Sequence, residues 1–224
     1  MVLEFFRGGT EGQLEGIHGQ IVTMLQDCRH TFDLAVNALM GGADPSSVGP
    51  EIHATDVRVN KAERAVRKQL VVHVSVRGSS ADLPMVLAAM SIVKDAERVG
   101  DYCKNIWDLA DEGVSLAGAD DEATLFGYRD RTSALIGDAA RIMADRDAAA
   151  ANDLLKMLDD LLDEYDAAIT AQVESTGTPR DAVPRALFYR YLKRITAHVM
   201  NVLTSLVMPV HRLDYYDEDK ADRI

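Results

Sequence analysis

Apolar residues recur every three or four positions over stretch after stretch, and clusters of glycine, proline and aspartate separate the stretches. That rhythm restricts the chain to helices packed on helices. Ile17, Ile21, Met24, Cys28, Phe32, Ala35 and Leu39 fall on one helical face, which the pattern assigns to the core. Breakers at 41–50, 78–84, 113–121, 145–147 and 174–184 leave six segments of helical length.

The second segment, from about Glu51 to Ser75, carries Ile52, Val59, Ala62, Val66 and Leu70, with Ser46, Ser47 and Pro50 at its entry. Its end is ambiguous locally, because Val71, Val72, Val74 and Val76 alternate with His73, Ser75 and Arg77 as a strand would. One strand without a partner is not stable, so a fraying helix is expected. Met85, Ala89, Ile92, Ala96, Val99, Cys103, Ile106 and Ala110 give the third segment its seam. A shorter fourth carries Leu135, Ile136, Ala139 and Met143, and a fifth Leu154, Leu158, Leu161, Tyr165, Ala168 and Ile169. The sixth runs from about Arg185 to Leu213, with Pro209 as a kink or early stop. The expected fold is all-α, six helices in two tandem sets of three: residues 11–113, residues 122–213, and a charged, mobile tail at 214–224.

Sequence comparison of the two halves supports the tandem reading. Residues 60–70 align with 163–173, matching Glu63 with Asp166 and Gln69 with Gln172; residues 94–106 align with 190–202, matching Arg98 with Arg194 and Asn105 with Asn201.

Charge narrows the partners. Twenty-four basic against 36 acidic side chains leave −12, which opposes nucleic acid and an anionic lipid surface and makes the chain at most peripheral to a membrane. Cys28 and Cys103 sit far apart in apolar patterns and read as reduced packing residues of a cytoplasmic protein. Residues 1–10 include Glu4 and Arg7 and lack the apolar run of a secretory signal. The longest uncharged stretch, 199–210, is too short to span a bilayer.

Templates for nucleophilic or phosphate-cradling chemistry are missing: there is no G-x-S-x-G, Walker loop, dinucleotide fingerprint or H-E-x-x-H. Glu15 and His18 form one E-x-x-H, but a dinuclear helical site needs two such motifs and two further carboxylates, so the pair reads as chance. His30, His53, His73, His198 and His211 lack ligand spacing and are expected at the surface or its boundary.

The informative stretch is Glu97-Arg98-Val99-Gly100-Asp101, where two carboxylates four residues apart share a helical face. In an exposed helix their repulsion costs only about 0.2–0.5 kcal/mol, and Lys94 or Lys104 is close enough to neutralise it. A solvated charged face therefore accounts for the spacing. So does a hard-cation site, provided a neighbouring helix adds oxygens. Asp56, Asn60 and Glu63 lie on one stripe of the second segment and would supply them, and Gly100 makes room for an ion or for a close helix approach.

The stretch 96–102 followed by Asn105-Ile106 resembles the E-R-x-G-D and N-I signature of the PhoU family of phosphate-uptake regulators, and Asp56 with Asn60 resembles the D-x-x-x-N of their preceding helix. The resemblance implies an elongated bundle of two three-helix repeats in a cytoplasmic protein without enzymatic turnover. It would act on a phosphate ABC transporter and its sensor histidine kinase, with Mg, Mn, Zn or Fe held on acidic helices. It makes Asp56, Asn60, Glu97 and Asp101 the metal ligands. In the second half the matching stretch is 193–198, so Lys193 replaces the Glu and Ala197 the Asp; metal is expected in the first repeat only, with Lys193 pairing Asp159 or Asp163 instead. Asp82-Leu83-Pro84 lacks the arginine usual before the family's third helix. A PhoU-like accessory of a low-affinity phosphate permease is an alternative, as is a carboxylate-metal enzyme in a helical bundle. A homodimer is expected from the long amphipathic helices.

Overall fold

A computed structural model describes residues 2–76 and 82–217, with side chains from Leu14 to Val76 and from Asp82 to Tyr216. Six helices follow in order: α1 (Val2–Met40), α2 (Pro45–Val76), α3 (Leu83–Asp111), α4 (Glu122–Asp145), α5 (Ala148–Val173) and α6 (Pro179–Thr204). Two single 3-10 turns, Val210–Arg212 and Tyr215–Asp217, close the described chain. None of the six is long and apolar enough to cross a membrane.

Helices α1, α2 and α3 pack on one another, and α6 packs on α5 and, less extensively, α4. The two sets meet along α3 against α6 and α1 against α4, while α5 barely touches α4. The seam of α1 is the one its periodicity marks: Ile17, Ile21, Met24, Cys28, Phe32, Ala35 and Leu39 are all buried. In α3 the seam begins at Val86, one residue after the position its pattern implies, since Met85 is 57% exposed.

Both α2 and α6 start earlier than their breakers indicate. Each opens with a proline, Pro45 or Pro179, and carries a second five residues on, Pro50 or Pro184. A first-turn proline removes no helical hydrogen bond, and one just beyond it removes a single bond, so the helix runs through both. The entry of α2 is pinned by Trp107, whose Nε1 donates to the Pro45 carbonyl at 3.0 Å. The indole lies so close to Gly49 that a Cβ there would meet Cζ2 at 2.7 Å, which is why this turn has no side chain. At its other end α2 stays helical to Val76, with the valines exposed and His73 buried, because the buried stripe Val59, Val66, Leu70, His73 keeps a helical period.

The turn between α4 and α5 is the tightest. Arg146 takes a left-handed φ of 53° as it closes α4, and Asp147 caps α5 by accepting from the Ala150 amide at 3.0 Å. Helix α6 stops at Thr204, ahead of Pro209, and the Thr204 hydroxyl lies against the Leu213 carbonyl to hold the returning chain. The expected mobile tail is described only to 217, where 215–217 form a 3-10 turn; residues 218–224 lie outside the described part, as do 78–81 of the expected second breaker.

Candidate acidic site where three helices converge

Gly100 is the point of closest approach in the amino-terminal half. A Cβ built on it would lie 3.3 Å from Cys28 Sγ of α1 and 3.6 Å from Val59 Cγ1 of α2. Of the two uses open to that glycine, the close approach of helices is the one seen. Cys28 seals it, its thiol donating to the Ala96 carbonyl at 3.3 Å. Burial pushes that thiol above its ordinary range, and the nearby charges of Asp27, Asp101 and Glu97 push it further.

Glu97 and Asp101 flank this contact. Glu97 is buried, and its carboxylate takes a hydrogen bond from the Lys94 ammonium at 2.6 Å, with Arg98 Nε at 3.9 Å. Lys104 points away and pairs with Asp108 at 2.9 Å, so of the two lysines flanking the motif one neutralises it. Asp101 is half-buried, and its carboxyl is raised above the ordinary range, first by burial and then by the charge of Glu97; Asp56 adds to the rise, while Lys94 and Arg98 oppose it. On α2, Asn60 commits its amide to the Asp56 carbonyl at 3.0 Å, and Glu63 is taken by Arg67.

Asp56 and Asp101 are therefore electrostatic neighbours, as a convergence of α2 and α3 requires. Among the described residues, however, no three His, Cys, Asp or Glu side chains are grouped closely enough to hold a metal ion. The donors suit a hard cation in charge and atom type, and the raised Asp101 carboxyl is strain that such an ion would relieve. Lys94 currently fills that role at Glu97.

The sign of the Asp101 shift gives a test. A carboxyl raised in the folded state contributes stability at low pH that is lost as pH climbs through its folded value. Asp101→Asn is thus expected to flatten the acid-to-neutral stability profile. At pH 7 it should match wild type or melt higher by at most about 2 °C, checked by calorimetry in chelator; a lower melting point at pH 7 would count against the repulsion.

In the carboxy-terminal half the Lys193 ammonium meets Asp166 at 2.5 and 2.6 Å, so its partner lies one turn beyond the expected Asp159 or Asp163. Ala197 is buried where Asp101 would have its counterpart. Glu15 and His18 both turn to the end of α4, His18 to the Met143 carbonyl at 2.7 Å and Glu15 to Arg146, which places this E-x-x-H in a helix contact.

Two histidines expected near the surface are interior. His73 is buried, with Nε2 3.1 Å from Asp82 Oδ2, and ties α2 to the start of α3. His198 joins the halves: Nδ1 is 2.9 Å from Asp95 Oδ1, Nε2 is 3.0 Å from Arg194 Nη2, and Tyr102 stacks on the ring. Asn201 donates to the same Asp95 oxygen at 3.2 Å. Arginine can only donate, so Nε2 accepts and Nδ1–H faces Asp95, which fixes the neutral tautomer. The sequence signal for this set is Arg194, His198 and Asn201 at i, i+4 and i+7, a polar line running into the largely apolar last turns of α6.

Residues 21–110 match the model of the PhoU domain. The fold is similar to that of PhoU from Pseudomonas aeruginosa, at 21% identity and a TM-score of 0.75 over 90% of this chain and 98% of that one. It is similar also to the phosphate transport system regulatory protein PhoU from Streptococcus pneumoniae, at 17% identity and a TM-score of 0.76 over 96% and 99%. No curated protein matches in sequence. The amino-terminal half thus carries a match to the PhoU domain, and the fold of the two PhoU structures continues through α4, α5 and α6.

Proposed function

We propose that the chain regulates inorganic phosphate uptake without turnover, by contact with a phosphate transporter or the kinase that reports phosphate status. The observation that carries this is the PhoU domain match across 21–110, which contains the Glu97-to-Asp101 stretch at the crossing of three helices. The role named for the Streptococcus pneumoniae relative, phosphate transport regulation, supports the reading. Two buried free cysteines suit the reducing cytoplasm, where such contact would take place.

Within that function Asp56, Asn60, Glu97 and Asp101 are the residues that would hold a metal ion, be it Mg, Mn, Zn or Fe. A bound ion would supply positive charge to an acidic helix face and set how partners dock on it. Because Lys94 is the present counter-charge of Glu97, metal binds here in competition with an ammonium. Lys94→Met is then expected to tighten Mn²⁺ binding about tenfold or more by titration calorimetry, and Glu97→Ala to abolish it. Unchanged affinity in Lys94→Met would remove the competition.

The function itself is tested in a strain lacking the gene and carrying a phosphate-responsive reporter. Wild-type protein should restore repression at high phosphate and co-purify with a transporter or kinase subunit. If neither occurs at low or high phosphate, the regulator reading fails.

A further inference from the structure

The charge of this acidic chain is unevenly placed. Between Arg58 and Val76, α2 carries Arg58, Lys61, Arg64, Arg67 and Lys68 against Glu63 alone, whereas α5 carries Asp153, Asp159, Asp160, Asp163, Glu164 and Asp166 against Lys156. Arg58 is drawn to Asp27 and Glu51, and Arg67 to Glu63. Lys61, Arg64 and Lys68 are exposed, and among the described residues no carboxylate forms an ion pair with them. They stand at i, i+3 and i+7, one outward line that continues into Val71 and Val72, 57% and 45% exposed. Val74 and Val76 on α2, and Leu83, Met85 and Leu87 on α3, add further exposed apolar side chains at this end of the α2–α3 pair. Beside it opens a cavity of about 490 Å³, bordered by Leu14, Ile17, Met85, Leu206 and Met208.

We propose that this face, Lys61 to Val72 of α2 with the apolar start of α3, docks on an anionic lipid bilayer. Lysine and arginine would meet phosphate headgroups while the valines reach the acyl boundary, with the long cationic side chains extending along the surface. The net charge of −12 does not prevent this. Charges are screened beyond a Debye length of about 8 Å, so a bilayer at α2 senses mainly the local excess of cations. A bilayer suits the patch better than an acidic peptide does, because the exposed apolar residues are spread over two helices, which a single peptide would have to bridge. The inference is independent of the regulator reading, since it concerns the isolated chain and lipid.

Co-flotation with vesicles tests it. Full-length protein should bind phosphatidylglycerol–phosphatidylcholine vesicles at low salt, release at high salt, and ignore pure phosphatidylcholine. Lys61→Glu/Arg64→Glu/Lys68→Glu should lose at least about tenfold in partitioning, and Val71→Asp/Val72→Asp should weaken it too. Arg141→Glu/Lys156→Glu/Arg190→Glu, with the same change in net charge on exposed residues elsewhere, should bind as wild type does. Circular dichroism confirms that each variant is folded. Equal binding to both vesicle types, equal losses in the two triple variants, or binding to poly-glutamate with none to anionic vesicles overturns the proposal; the last would assign the face to an acidic protein.

Discussion

Asp95→Ala is expected to lower the melting temperature by about 5–12 °C. The Asp95 carboxylate is the shared acceptor for His198 Nδ1–H at 2.9 Å and Asn201 Nδ2–H at 3.2 Å, and it sits with His198 at the seam between the halves, 13% and 11% exposed. Removing the acceptor strands two donors in a nearly dry environment, at about 1–3 kcal/mol each, and a chain of this size loses roughly 2–4 °C per kcal/mol. Asp95→Asn keeps a carbonyl oxygen in place and should lose less than half as much. Arg194 cannot substitute, because it is itself a donor and already holds the other ring nitrogen. Differential scanning calorimetry decides the matter, and a drop under about 2 °C would mean that the network does little to join the halves.

The second large effect is at Gly100, where size and sign separate. Alanine would press on Cys28 Sγ at 3.3 Å and touch Val59 Cγ1 at 3.6 Å, contacts that yield with a shift of a few tenths of an ångström. Removing a helix-interior glycine also gains up to about 1 kcal/mol, so Gly100→Ala should fall close to wild type. Valine adds two methyl groups to the same crowded point. They can enter only by prising α3 from α1 and α2, at about 2–3 kcal/mol, and the same movement displaces Glu97 and Asp101 from α2. Urea unfolding of the two variants distinguishes them; equal midpoints would show that the three helices are not in tight contact here.

Local pattern revealed what local physics decides. The period of three and four located all six helices and most of the buried seam, and two carboxylates four apart in α3 marked where α1, α2 and α3 meet. It misjudged the starts of α2 and α6, since Pro50 and Pro184 look like breakers until Pro45 and Pro179 are recognised as first-turn residues. Relations between helices were less legible. Lys193 meets Asp166, one turn from its expected partners, because periodicity fixes which face of a helix is buried but not how far it slides along its neighbour. Lys104 chooses Asp108 over Asp101 because both are within its reach along the helix, and Asp101 sits closer to the crowded centre. His198 and Asp95 are 103 residues apart, and no spacing in either helix foretells that they touch.

The thin contact between α4 and α5 has a consequence for how the molecule breathes. Helix α2 leans on two neighbours, but α5 rests chiefly on α6, with the Arg131–Glu164 ion pair spanning its open side at 2.6 Å. An element with a single buttress is the first to detach in partial unfolding. Amide hydrogens along α5 should therefore trade with solvent deuterium ahead of those in α1 and α3, and the carboxy-terminal half would loosen from its outer edge while its inner helices remain clasped to the other half.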